Sequence, residues 1–337
     1  MGVTCDILLT TNTQGDYKAG QAVQGLVKYT IDKPTEFTSV TISLRGQGSC
    51  RWLGGLNHIG STCIGTEDYV DQRMDLLEAK KGTIAAGMYE KEFRFVLPQV
   101  IPSSYKDFRC VIEYFVELVF LKSNGKIISK RLDLIKVQGG IKPRLEQQAT
   151  TYNAIATAGF SSLIETITFD VDIEKTHLNP GQTIILILNV NNLSAVSDIA
   201  IRTELIEDIT YKSNCNHEKK ISRTVNGTEV KFFAAGMNVE RRDLEKITTT
   251  PDMYTMHCNM LTREYRVKVV FKLPLPYKKV SIEIPMVIAE EIEVSEQVKS
   301  VDLPPSYSKS NRIENHHHLS NLFPTMSRTT SRPPGCS

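Results

Sequence analysis

The feature that most constrains this chain is an alternation of apolar and polar residues with a period of two. The clearest apolar sets are Val40, Ile42 and Leu44; Phe93, Phe95 and Leu97; Ile112, Tyr114, Val116, Leu118 and Phe120; and Tyr265, Val267, Val269, Phe271 and Leu273. Successive side chains of a strand point to opposite faces, so each set predicts a half-buried antiparallel strand. No window shows a helical stripe of comparable strength with caps. We therefore expect an all-β protein.

Turn-forming residues separate these strands at short intervals. The clearest turn signals are Ala19-Gly20, Asn124-Gly125, Gly139-Gly140, Asn179-Pro180-Gly181 and Asn226-Gly227. Many short strands divided by such turns are typical of β-sandwiches. At 337 residues the chain also exceeds the usual size of one domain, which favours two domains.

A weak internal repeat supports two similar domains in tandem. Ala19-Gly20-Gln21 before an apolar strand recurs as Pro180-Gly181-Gln182 before a second apolar strand. The offset that superposes these turns also superposes Val27 on Leu188 and Leu44 on Leu205. Two further matches occur at different offsets. Phe95-x-Leu97-Pro98 matches Phe271-x-Leu273-Pro274, and Ile112-Glu113-Tyr114 matches Ile282-Glu283-Ile284. We interpret these matches as two related sandwiches.

Breaks in the strand pattern divide the chain into four parts. We expect a first sandwich at 1–140, a linker with the first residues of the second domain at 141–162, a second sandwich at 163–293, and a tail at 294–337. The tail is dominated by Ser, Asn, Pro and the run His316–His318. It has too little apolar content to bury a core, so we expect it to be disordered.

Composition argues against several classes of protein. The 40 Lys and Arg residues nearly balance the 38 Asp and Glu residues, which argues against nucleic-acid binding. The seven cysteines are scattered, odd in number and without a Cys-x-x-Cys pair, a usage that predicts a reduced compartment. No secretory signal or membrane-spanning run is found. We expect a cytosolic protein that reaches membranes only through partners.

Catalytic and metal-binding patterns are weak. The nearest candidate for a zinc site combines Cys215 and His217 with His257 and Cys258. Adjacent residues of a strand point to opposite faces, so His257 and Cys258 could not both reach one ion without a bulge. Buried thiols and surface imidazoles explain these residues better. Nucleophile elbows and phosphate-binding glycine loops are also missing from the sequence, and we expect no enzyme activity, metal or cofactor.

One short motif in the tail does point to a binding partner. Leu303-Pro304-Pro305-Ser306-Tyr307 is a Pro-Pro-x-Tyr sequence, of which about 0.02 copies are expected by chance at this composition. Proline holds the backbone near the polyproline II conformation that the aromatic grooves of WW domains accept. Tyr307 would supply specificity through its ring and hydroxyl.

With tandem sandwiches followed by this motif, the chain resembles the arrestin-domain-containing proteins, the α-arrestins. In the first domain the resemblance rests on Tyr17-x-x-Gly20 with Val23-Gln24-Gly25, Leu44-Arg45-Gly46 before Trp52, Gly87-Met88-Tyr89, Phe93 to Pro98, Ile101 to Ser104, and Ile112-x-Tyr114. In the second domain it rests on His177 to Gln182, Asn191 to Ser194, and Leu273-Pro274. The resemblance implies two immunoglobulin-like sandwiches of arrestin type.

The resemblance also implies the function of an adaptor. Relatives recruit HECT-type ubiquitin ligases through tail Pro-Pro-x-Tyr motifs and contact membrane cargo, such as receptors and transporters, through the arrestin body. Ubiquitination, endocytosis and endosomal sorting follow, with recruitment to the plasma membrane and endosomes. Pro304, Pro305 and Tyr307 match the ligase-binding motif, with Leu303 beside it.

This tail departs from many relatives because it carries one such motif rather than two. Arg332-Pro333-Pro334-Gly335-Cys336 begins like a second copy but lacks the tyrosine. The alternative is a trafficking scaffold of arrestin or retromer-subunit type that acts without recruiting a ligase.

Overall fold

The protein is described here by a computed structural model. It covers residues 2–10, 16–54, 61–77, 82–122, 124–141, 149–160, 163–192, 194, 196, 198–233, 240–243 and 246–291. All the regular structure in these ranges is β-strand, which confirms the predicted all-β class with two sandwiches in tandem. Within the same ranges no helix has the length and hydropathy needed to cross a membrane.

The first sandwich has two main sheets, which are antiparallel except for one short strand. Its strands are β1 (Val3–Leu9), β2 (Asp16–Lys18), β3 (Ala22–Ile31), β4 (Thr35–Phe37), β5 (Ser39–Leu53), β6 (Thr62–Asp75), β7 (Gly82–Ile84), β8 (Gly87–Val96), β9 (Tyr105–Lys106), β10 (Cys110–Leu121) and β11 (Ile127–Gln138). One sheet has the order β1-β3-β8, and the other has the order β2-β11-β10-β5-β6 with β9 added beside β10. The short strand β2 runs parallel to β11.

The second sandwich has the same plan. Its strands are β12 (Gly140–Ile141), β13 (Thr150–Phe160), β14 (Leu163–Ile173), β15 (His177–Leu178), β16 (Thr183–Ile184), β17 (Leu186–Asn192), β18 (Asp198–Lys212), β19 (Glu218–Phe233), β20 (Glu240–Asp243), β21 (Ile247–Thr248), β22 (Met256–His257), β23 (Leu261–Lys272), β24 (Val280–Ile288) and β25 (Glu290–Glu291). One sheet has the order β13-β14-β17-β20, and the other has the order β15-β24-β23-β18-β19 with β22 beside β23. Here too the short strand β15 runs parallel to the last long strand, β24. β12 and β25 pair in parallel.

The predicted repeat is confirmed at its first turn. Gly20 and Gly181 both have positive φ, 82° and 87°, which glycine adopts without steric cost. Each turn is closed by a glutamine: the backbone N–H of Lys18 donates to Gln21 Oε1 at 2.9 Å, and that of Asn179 donates to Gln182 Oε1 at 2.9 Å. The same turn is therefore built twice, at equivalent places in the two sandwiches.

The two later matches of the predicted repeat are wrong, because each pairs strands that have different positions in the two sandwiches. Phe95 lies on β8, whereas Phe271 lies on β23, the counterpart of β10. Likewise Ile112 lies on β10 and Ile282 lies on β24, the counterpart of β11. An apolar strand that ends at a proline is a general pattern, so it matched strands of different topological position.

Each sandwich encloses its own apolar core. On β10 the residues Cys110, Ile112, Tyr114, Val116, Leu118 and Phe120 are all buried, as their alternation predicts. In the second core Phe169 of β14 stacks on Phe271 of β23, with ring centroids 4.0 Å apart. The first core also receives side chains from the second sandwich, including Ile209, Tyr211 and Met260. The two cores therefore meet at a junction.

One pair of cysteines is joined across neighbouring strands, which their scattered spacing in the sequence did not predict. Cys50 of β5 and Cys110 of β10 are directly opposite in the register and form a disulfide. Cys5, Cys63 and Cys258 carry free thiols. The bonded pair was missed because its members are 60 residues apart and only the register of β5 and β10 brings them together.

Candidate functional site at the junction of the two sandwiches

The junction is first an apolar contact between β5 and β6 of one sandwich and β18 of the other. Trp52 lies with its ring centroid 6.1 Å from that of Tyr211, and both rings are buried. Trp52 belongs to the core of the first sandwich and packs at this boundary. Gly65 permits a close approach of the two backbones, because a Cβ there would lie only 2.3 Å from the carbonyl oxygen of Lys212.

Asp107 is the polar centre of this contact. Its carboxylate accepts hydrogen bonds from the backbone N–H groups of Arg109 and Cys110, both at 2.7 Å, and from the Tyr105 hydroxyl at 2.8 Å. The Tyr211 hydroxyl of the second sandwich donates to the same carboxylate. Burial acts to raise the pKa of Asp107, but these four donors lower it below its ordinary value. Burial and the Asp107 carboxylate raise the pKa of Tyr211 to about 12, so its hydroxyl keeps its proton.

A second carboxylate, Glu207, is fully buried on the inward face of β18. Its Oε1 accepts from Arg263 Nε at 2.5 Å and from the Tyr265 hydroxyl at 3.2 Å, while Oε2 pairs with Arg223. Burial favours the neutral acid, but the two guanidinium groups lower the pKa of Glu207 below its ordinary value. Arg263 reaches across the junction, where its guanidinium lies 5.4 Å from the ring centroid of Tyr105.

Strand β6 adds polar contacts to two loops of the second sandwich. The Thr66 backbone N–H donates to Asn214 Oδ1 at 3.0 Å, and Asn214 Nδ2 donates to Thr66 Oγ1 at 3.1 Å. Glu67 accepts from the backbone N–H of Asn259 at 3.0 Å and from its side-chain amide at 2.7 Å. The Tyr69 hydroxyl lies 3.3 Å from the Cys258 sulfur. The junction therefore combines apolar packing with a nearly continuous set of hydrogen bonds.

The depressed pKa of Asp107 predicts how this junction responds to acid. Because the pKa of Asp107 is lower in the folded protein, the unfolded chain binds a proton first as the pH falls. The contribution of Asp107 to folding stability is therefore complete above the ordinary pKa of 3.8. It is lost as the pH falls through the pKa of the folded protein. We expect the wild type to have a higher melting temperature than Asp107→Asn between pH 5 and 7, with the gap closing below about pH 4. Thermal unfolding of both proteins across this range measures the gap. A gap that is unchanged at pH 3 would contradict the assignment.

The residues considered for zinc do not come together, since Cys215 is disulfide-bonded and His257 Nδ1 lies 4.0 Å from Glu264 Oε1. His217 Nδ1 lies 3.7 Å from the Cys63 sulfur of the first sandwich. Cys258 lies beside Tyr69, and burial raises the pKa of its thiol, which makes it a poor nucleophile. Within the described ranges no three His, Cys, Asp or Glu side chains are grouped to hold a metal.

The predicted WW-binding residues Leu303, Pro304, Pro305 and Tyr307 lie outside the described residues, which end at 291. The motif therefore stays a prediction from the sequence. The junction residues, in contrast, were missed at the sequence level. Glu207 could have been recognised from the sequence. It stands at an inward-facing position of a strand whose neighbouring inward-facing residues are Leu205, Ile209 and Tyr211.

Two β-sandwiches of repeated topology, joined by a buried apolar and polar junction, define a two-domain protein of arrestin architecture. Residues 5–138 match the family described as "Arrestin (or S-antigen), N-terminal domain", and residues 165–292 match "Arrestin (or S-antigen), C-terminal domain". The chain belongs to the arrestin-domain family, as its resemblance to the α-arrestins predicted.

Two relatives show how far the similarity extends. The chain is 20% identical to the human arrestin domain-containing protein 5 over 314 residues, which are 86% of this chain and 88% of the human protein. It is 22% identical to arrestin domain-containing protein 17 of Caenorhabditis elegans over 283 residues, 77% of this chain and 66% of the worm protein. Membership of this family supports the role of a trafficking adaptor.

Proposed function

We propose that this protein is a cytosolic adaptor that links membrane cargo to a WW-domain ubiquitin ligase of the HECT type. The two sandwiches bind the cytosolic part of a receptor or transporter. The tail at 294–337 binds the ligase through Pro304, Pro305 and Tyr307, with Leu303 as a flanking contact. Ubiquitination, endocytosis and endosomal sorting of the cargo follow, and partners recruit the adaptor to the plasma membrane and endosomes.

The observation that carries this proposal is the combination of two arrestin sandwiches with a Pro-Pro-x-Tyr sequence in one chain. A polyproline segment binds with little loss of conformational entropy, so a short motif in a tail is sufficient for an aromatic groove. The buried junction supports the other half of the proposal, because it holds both sandwiches as one surface for cargo. No catalytic step is assigned to the body.

The single motif makes ligase recruitment conditional. Two linked motifs raise avidity about 10² to 10⁴-fold over one, when both can engage at once. With one copy, binding depends on the local concentration of ligase at the membrane. Cargo binding would supply that concentration by placing adaptor and ligase on the same surface.

Proximity labelling in cells tests the proposal with the full-length chain. We expect the wild type to label a WW-domain ligase together with membrane proteins, and a chain lacking residues 294–337 to keep the membrane proteins while losing the ligase. Labelling of the ligase by the truncated chain would overturn the assignment of the tail.

The alternative is a trafficking scaffold on the same fold that recruits no ligase. The observation that favours it is the single motif, since Arg332-Pro333-Pro334-Gly335 lacks the tyrosine of a second copy. On this alternative, the truncated chain would keep its complete set of partners and no ligase would be labelled by either protein.

A further inference from the structure

A cleft of about 350 Å³ opens between the two sandwiches. One wall is Glu67 and Tyr69 of β6, another is the segment Val100–Ser103, and the third is Thr255–Asn259 of the second sandwich. Ligand sites occur preferentially at domain interfaces, and this volume is at the small end of their usual range. The cleft therefore suits one side chain of a partner rather than a large ligand.

The acidic group of the cleft is Glu67, which has no counter-ion within the described ranges. The Glu67 carboxylate accepts from the backbone N–H and the side-chain amide of Asn259, at 3.0 and 2.7 Å, and from the Tyr69 hydroxyl at 3.2 Å. All three donors are neutral. Across the described ranges, every Lys, Arg and His nitrogen is more than 4 Å from this carboxylate. The hydrogen bonds fix its position while its negative charge remains available.

The rest of the lining combines an apolar wall with the polar side chains of Ser103, Thr255 and His257. Val100 is 63% exposed at the rim, while Ile101 and Met256 are buried behind it. Apolar walls with a fixed carboxylate match a side chain that has a methylene stem and a cationic end. Arginine fits this chemistry best, since its planar guanidinium donates two parallel hydrogen bonds to a carboxylate and stacks on aromatic faces such as that of Tyr69.

We propose that this cleft binds an arginine side chain from an extended peptide segment of the cargo, paired with Glu67. The inference rests on the proposed adaptor function and adds a chemical criterion for the cargo. Because the cleft is lined by both sandwiches, a bound arginine also bridges them. Binding should consequently raise the melting temperature of the protein.

The test uses two peptides that differ at one atom position, Ac-Gly-Ser-Arg-Ser-Gly-NH2 and its citrulline counterpart, which keeps the shape but has no charge. Saturation-transfer NMR titrations measure their affinities for the full-length wild type, Glu67→Gln and Asp68→Asn. Asp68 is the matched control, because it is the exposed neighbour of Glu67 and points to the opposite face of β6. Melting temperatures of each protein with and without peptide provide the second measurement.

We expect the wild type and Asp68→Asn to bind the arginine peptide at least about tenfold more tightly than the citrulline peptide, the usual gain for a hydrogen bond to a charged group. Glu67→Gln should lose this preference. Equal affinities of the wild type for the two peptides, undetectable binding of both, or an equal loss in Asp68→Asn would overturn the proposal. WW-domain binding measured on the same samples separates the two functions, since it tests the tail motif and not the cleft.

Discussion

Replacing Glu207 with alanine should lower the free energy of unfolding by about 3–5 kcal/mol, the usual cost of removing one partner of a buried ion pair. The Glu207 side chain is 1% exposed, and that of its partner Arg263 is 7% exposed. Without Glu207, the Arg263 guanidinium would keep the Asp252 carbonyl as an acceptor but would lose the carboxylate that it contacts directly. Urea unfolding followed by the fluorescence of Trp52, the single tryptophan, measures the change where the sandwiches meet.

Glu283→Ala is the matched control for this experiment. Glu283 also pairs with two cations, Lys268 at 2.6 Å and Arg266 at 3.4 Å, but its side chain is 46% exposed. Solvent weakens such pairs, so we expect a loss below about 1 kcal/mol. Equal effects of the two substitutions would show that burial does not make the Glu207 network important for stability.

The general fold could be predicted from the sequence because its signals are local. Alternation on β10 identifies the residues that face the core, and Gly20 and Gly181 identify the repeated turn. Both signals depend only on the geometry of neighbouring residues. The pairing of strands does not, and for that reason the repeat was followed correctly near these turns and incorrectly at Phe95 and Phe271.

The contacts at the junction could not be predicted from the sequence for the same reason. Asp107 and Tyr211 are 104 residues apart, and their contact depends on how two complete sandwiches pack. The disulfide between Cys50 and Cys110 likewise depends on the register of two strands. Glu207 was the exception that could have been found, because a charged residue in an inward phase must have a buried partner.

The position of Glu67 in the cleft likewise depends on contacts between residues that are far apart in the sequence. Glu67 lies on a strand with exposed acidic and polar neighbours, where its sequence context indicates only a solvated face. Its position beside Asn259 and Tyr69 comes from the second sandwich and from the irregular pairing near Gly46. A sequence pattern therefore locates the Pro-Pro-x-Tyr motif, whereas only the fold locates the cleft.

Tyr307→Ala should weaken the binding of a WW domain at least about 30-fold, because a tyrosine that fills a pocket in an interface contributes 2 kcal/mol or more. The prolines would still hold the polyproline conformation, but the ring and hydroxyl that give specificity would be lost. Calorimetric titration of the full-length chain with a recombinant WW domain measures the affinity. The melting temperature should stay unchanged, since Tyr307 follows Glu291, the end of the last described strand, in the sequence.

Pro334→Ala provides the control within the same tail. Pro333-Pro334 resembles the start of a second motif, but Cys336 stands where the tyrosine of a Pro-Pro-x-Tyr sequence is required. We therefore expect Pro334→Ala to bind as the wild type does, while Pro305→Ala should weaken binding in the same direction as Tyr307→Ala. If Tyr307→Ala kept wild-type affinity, the WW domain would bind at another place and the motif would not be the ligase-binding element. If the wild type itself bound no WW domain, the scaffold without ligase recruitment would be the better account of this protein.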